Sequence, residues 1–101
     1  MLTYSLRHGG GKKDQKERIE LTNDSFVELS IFEVPRRLAG STHDFKYRLA
    51  YVVLGECVLR YDNEAGKGDH KHIGRKEFSY AFVDVQTLLR DFFADVGRMK
   101  T

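Results

Sequence analysis

The chain has 101 residues, of which 41% are hydrophobic and 32% charged, and a net charge of +2. That length makes one domain with a single modest core, and the small charge does not by itself announce a nucleic-acid binder. No run reaches the roughly 18 apolar residues that span a bilayer, no signal-peptide core is visible, and the lone Cys57 excludes an internal disulfide, so a soluble cytoplasmic protein is expected.

Residues 1–16 read as a flexible or weakly ordered arm, because Gly9-Gly10-Gly11 precedes Lys12-Lys13-Asp14. Residues 17–101 read as one α+β domain. Arg18–Leu21 is a short first strand, and Thr22-Asn23-Asp24-Ser25 is turn chemistry. A second strand runs from Phe26 to Val34, with Val27, Leu29 and Ile31 on one face, and Pro35 ends it. Arg36–Asp44 is a polar loop. Phe45–Val53 is the third strand, with Tyr47, Leu49, Tyr51 and Val53 sharing a face, and Leu54-Gly55-Glu56 turns the chain into a fourth, Cys57–Tyr61. Cys57 reads as a buried small hydrophobe. A polar run to Gly74 reads as a loop, and Glu77–Val83 as a fifth strand. Asp84 then caps a helix whose Val85, Leu88, Leu89, Phe92, Phe93 and Val96 form one apolar stripe, with Gly97 as its C-cap. The expected fold is an antiparallel β-meander of four to five strands with this C-terminal amphipathic helix packed on one face.

The polar run, Arg60 to His72, concentrates titratable and hydrogen-bonding groups in one segment. His70 and His72 are two apart, so in an extended backbone they point to one side with Cα atoms about 6.5–7 Å apart. Three readings stay open. The pair can act as general acid and base around a phosphodiester. It can hold a divalent metal with Asp62, Asp69 or Glu64. Or the histidines are surface or structural residues. Metal-free ribonuclease chemistry needs a base for the 2′-hydroxyl, an acid for the leaving oxygen and a cation for the phosphorane. His70, His72 and Arg60, with Lys67 and Lys71, supply those types. Arg60 and Asp62 share a strand face and make an ion pair there, while Asn63 reads as a turn former. Tyr47, Tyr51 and Tyr61 read as core before base-stacking platforms, and His8 and His43 as ordinary loop residues. Basic residues cluster at Lys12–Arg18, Arg36–Arg48 and Lys67–Lys76; whether they meet on one face is not legible. No Walker-type Gly-rich loop is present.

Over Arg60-Tyr-Asp-Asn-Glu-x-Gly-Lys-Gly-Asp-His-Lys-His72 the sequence resembles the TumE family of small toxins from bacterial and archaeal toxin–antitoxin pairs. The resemblance begins near Leu21, includes Pro35 and Tyr47-Arg-Leu49, and continues through Tyr80-x-Phe82 into the helix. It implies a growth-inhibiting toxin neutralised by a cognate antitoxin, typically one with a helix-turn-helix DNA-binding domain. By analogy among small toxins it implies action on RNA, as an endoribonuclease-like enzyme with His acid and base; the alternatives are a non-catalytic RNA- or ribosome-binding module and a metal-dependent nuclease or nucleotidyl-modifying enzyme. The positions carried over are Arg60, Asp62, Asn63, Lys67, Asp69, His70, Lys71 and His72. His70, His72, Arg60 and Asp62 form the expected catalytic set; Lys67, Lys71, Asn63 and Asp69 the substrate-binding set. No cofactor is expected outside the metal alternative, no membrane partner is implied, and a homo-oligomer is left open.

Overall fold

The computed structural model of the protein describes residues 15–34, 41, 43–64 and 66–100. Among the described residues, β1 (Gln15–Thr22), β2 (Ser25–Glu33), β3 (Phe45–Val53), β4 (Glu56–Glu64), β5 (Gly68–Ile73) and β6 (Lys76–Ser79) form one antiparallel sheet in sequence order, followed by α1 (Val85–Met99). This is the α+β meander expected, with six strands in place of four to five. The extra strand comes from the polar run, which is a hairpin and not a loop. Its turn is made by Gly66 and Gly68, both in the left-handed region at φ +83° and +79°, a conformation that costs glycine nothing. An antiparallel sheet can leave one face to water, so a strand can be polar at every second residue.

Alternation along β2, β3 and β4 builds the core. Val27, Leu29, Ile31, Tyr47, Leu49, Tyr51, Leu59 and Tyr61 are buried on one sheet face, where Leu88, Phe92 and Val96 of α1 join them. Each such side chain contributes roughly 1.5–3 kcal/mol of burial. Tyr61 meets Phe92 edge to face at 5.6 Å between ring centroids. The tyrosines are therefore core residues.

The helix begins as its sequence requires. Asp84 is extended, and its Oδ1 accepts from the Thr87 N–H at 2.7 Å. That backbone hydrogen bond holds the Asp84 carboxyl below its usual range. Gly97 does not end the helix: α1 continues to Met99, and Lys100 closes it through its N–H to the Val96 carbonyl. β6 stops at Ser79, short of the predicted Val83. Just beyond it the Tyr80 N–H still donates to the Asp69 carbonyl at 3.0 Å, while its side chain reaches α1, the hydroxyl donating to Asp91 Oδ2 at 2.7 Å. Cys57 is exposed, not buried, beside a register shift between β3 and β4. The tight β3–β4 turn puts Leu54 and Gly55 at φ +52° and +78°, as a two-residue primed hairpin demands. Gln15 and Lys16 already belong to β1; the rest of the predicted arm and most of the predicted 36–44 loop lie outside the described residues.

Candidate functional site on the open sheet face

The β4–β5 register sets Arg60 opposite His72 and Asp62 opposite His70. Cross-strand partners project to the same face, and this face is the one α1 leaves open. Arg60 Nε donates to Asp62 Oδ2 at 3.0 Å. His72 Nε2 lies 3.8 Å from Asp62 Oδ1, and His72 makes no hydrogen bond to a described residue. His70 Nε2 is 2.8 Å from the Lys67 carbonyl. A carbonyl only accepts, so Nε2 is the nitrogen that carries a hydrogen. Nδ1 is then the nitrogen left to gain or lose a proton.

One participant was not anticipated. Glu77 of β6 is the cross-strand partner of His72, and its Oε2 lies 3.0 Å from His70 Nδ1, 4.0 Å from His72 Nε2 and 3.4 Å from Lys67 Nζ. Desolvation is the largest single influence on Glu77 and opposes its ionisation, yet the Lys67 ammonium and the two imidazoles together outweigh it and hold the carboxyl below the usual range. The available signal was the alternation of Glu77 and Ser79 around Phe78. Arg60, Asp62, His70, His72, Glu77 and Lys67 thus meet in one cluster.

Asn63, Asp69 and Lys71 do not join it. Being one residue out of phase, they point to the core face. Asn63 is fully buried. Its Oδ1 accepts from the Tyr47 N–H at 3.0 Å and its Nδ2 donates to the Phe45 carbonyl at 2.7 Å. The side chain continues the β3–β4 ladder where the backbone pairing stops, so it acts across strands and not in a turn. Lys71 Nζ donates to Asp95 Oδ2 of α1 at 3.0 Å, and the Tyr61 hydroxyl and Arg98 donate to the same carboxylate. Burial alone would raise the Asp95 carboxyl, but these donors hold it below its usual range. Burial and the same hydrogen bond push the Tyr61 phenol well up.

Asp69 sits in a second network. It accepts from the Tyr47 hydroxyl at 2.7 Å and lies 2.8 Å from His43 Nε2. The Phe45 N–H donates to His43 Nδ1 at 3.1 Å, so His43 donates through Nε2 to Asp69. Its ring stacks on Phe82 with centroids 3.8 Å apart. His43 is therefore a buried structural residue and not an ordinary loop histidine. Burial and Asp69 together push the Tyr47 phenol well up.

Among the described residues, no group of three or more His, Cys, Asp or Glu side chains is arranged to hold a metal ion. Asp69, one of the expected third ligands, lies across the sheet from His70 and His72. Asp62, another of them, stays on the face of the two histidines.

A family model described as Toxin TumE matches residues 5–100 of the chain. The chain belongs to that family, which makes it the toxin of a toxin–antitoxin system with a cognate antitoxin as its partner. Comparison with curated proteins and with solved structures gives no match. Among the described residues no helix is long and apolar enough to cross a membrane.

Proposed function

We propose that this toxin arrests growth by cutting RNA without a metal, at the open face of the β4–β5 hairpin. The observation that carries the reading is the placing of two partly exposed histidines on the sheet face away from α1, each beside a carboxylate, next to the Arg60–Asp62 pair. His72, whose ring makes no hydrogen bond to a described residue, takes the proton of a ribose 2′-hydroxyl. That oxygen attacks the adjacent phosphorus, the bond to the 5′-oxygen breaks, and His70 delivers the Nδ1 proton to the leaving oxygen. The products are a 2′,3′-cyclic phosphate and a 5′-hydroxyl. Arg60 and Lys67 face the phosphate and offset the charge that develops on it. Asp62 aims Arg60, and Glu77 pairs with His70 Nδ1 when it carries its proton. Asn63, Asp69 and Lys71 support the hairpin from behind and do not touch substrate. The setting is the cytoplasm, with an antitoxin of the helix-turn-helix kind holding the toxin inactive.

The test is a cleavage assay. Toxin freed from its antitoxin is incubated with total RNA, with and without EDTA, beside a His70→Ala/His72→Ala variant. Fragments from the unaltered chain alone, indifferent to EDTA and ending in cyclic phosphate, are expected. Loss of fragments with EDTA would move the chemistry to a metal. Arrest of growth with no fragments at all would replace cleavage by RNA modification or by stoichiometric binding.

A further inference from the structure

We infer that the open face of β1–β3 is a track for single-stranded RNA leading into the β4–β5 hairpin, an inference that rests on the reading of that hairpin as an RNA-cleaving site. The strand registers compose two adjacent rows across the whole sheet. One runs Lys16, Ser30, Arg48, Asp62, His70, Ser79; the other runs Arg18, Glu28, Ala50, Arg60, His72, Glu77. Every member of a row projects to the same face. The histidines therefore share one surface with Lys16, Arg18 and Arg48. From β1 to β5 is four strand spacings, about 19 Å, a span that a few extended nucleotides cover.

This strip is concave. A trough of about 550 Å³ opens on it, with Lys16, Arg18, Lys46 and Arg48 around Glu28, and with Phe32 in its wall. Arg18 also pairs with Glu20 at 3.0 Å, so four cations stand against two carboxylates, a balance that favours a polyanion. Lys16 and Arg48 form no ion pair with a described residue, and Arg48 is exposed. A cation that no described carboxylate neutralises on a strand face is available for phosphate. Arg18 sits over the Phe26 ring, its guanidinium carbon 3.7 Å from the centroid. A guanidinium braced in this way is a plane on which a base can stack. Cations that track a backbone, interleaved with stacking surface on an open sheet, suit a single strand better than a duplex. Continuity with the hairpin favours RNA over an acidic segment of the antitoxin, since Arg48 stands directly opposite Asp62.

The test measures binding of a short fluorescein-labelled oligouridylate in the His70→Ala/His72→Ala background, where the RNA stays intact. Into it goes Lys16→Ala/Arg48→Ala, with Arg48→Lys as a charge-keeping control and thermal unfolding to confirm the fold. The alanine pair should weaken binding about tenfold at moderate salt and lower the slope of log affinity against log salt by about 0.7 for each phosphate no longer neutralised. Arg48→Lys should keep most of the affinity. In chains with intact histidines, the alanine pair should raise KM for RNA, leave kcat unchanged and leave antitoxin affinity unchanged. Unaltered RNA affinity and slope, in a toxin that still cleaves through its histidines, would overturn the track and leave the hairpin reading standing. Loss of antitoxin affinity in place of RNA affinity would overturn it too, and give the trough to the antitoxin. If the unaltered chain neither binds nor cuts RNA, the hairpin reading falls and the track with it.

Discussion

Arg60, Asp62, His70 and His72 alternate in sequence with Tyr61, Asn63, Asp69 and Lys71, and the two sets lie on opposite faces of the sheet. The first set lies on the face away from α1, with side chains 14–32% exposed. The second faces the core and α1, where each polar group has a fixed partner: Asn63 with β3, Asp69 with Tyr47 and His43, Lys71 and Tyr61 with Asp95. No buried side-chain nitrogen or oxygen among the described residues lacks a partner. Buried polar groups must be paired, because an unmade hydrogen bond there costs more than a made one contributes. On the open face water can substitute, and His72 needs no hydrogen bond from any described residue. The contrast separates residues that hold the hairpin up from residues free to meet a substrate, within one short run.

The sharpest break of that contrast comes at Asn63. Asn63→Ala leaves the Tyr47 N–H and the Phe45 carbonyl buried without partners and should cost about 3 kcal/mol, read as a lower urea midpoint. The His70→Ala/His72→Ala variant should stay within about 0.5 kcal/mol of the unaltered chain while losing toxicity. An Asn63→Ala protein of full stability would dissolve the distinction between the faces. Next in size is Asp95→Asn, which weakens charged hydrogen bonds to Tyr61, Lys71 and Arg98 and should cost about 2 kcal/mol at neutral pH. The sign with pH follows from the lowered Asp95 carboxyl. Its stabilisation is complete above the unfolded value of about 3.9 and is lost as pH falls through the lower folded one. Acid titration of stability should therefore show a step below about pH 4 in the parent, reduced in Asp95→Asn. Equal acid limbs would mean that Asp95 does not fasten the helix to the hairpin.

Much of this frame is legible in the sequence. The alternation in β2 and β3 and the Leu88–Phe92–Val96 stripe report their buried faces directly, because burial repeats with the period of the backbone. The Arg60–Asp62 pair and the shared side of His70 and His72 follow from the same period. The polar run misleads because glycine and charge are loop signals, and nothing local says that one face of the strand is open to water. Once it is read as a loop, its alternate residues cannot be sorted, and Asn63, Asp69 and Lys71 fall in with the histidines. His43 is illegible for another reason. Its partner Asp69 is 26 residues away and its stacking partner Phe82 is farther still, so only the assembled sheet brings them together.

Glu77 gives the smallest structural effect and the finest test of the comparison. It belongs to the open face by register, but it comes from β6, outside the run that carries the other groups. Its side chain is substantially exposed, so Glu77→Gln should leave the urea midpoint where it is. The amide keeps the shape but removes the charge that pairs with His70 Nδ1 and Lys67 Nζ. A positioning residue of this kind acts on the chemical step more than on binding, so kcat for RNA should fall several-fold with KM little changed, and Glu77→Asp should recover part of the loss. The lowered Glu77 carboxyl stays ionised through the mildly acidic range, so acid alone should not mimic the substitution above about pH 5. Full activity in Glu77→Gln would show that lying beside the histidines on the open face is not sufficient for a role. The working site would then contract to the β4–β5 hairpin alone, with β6 as a covering strand whose carboxylate only offsets the charge of Lys67.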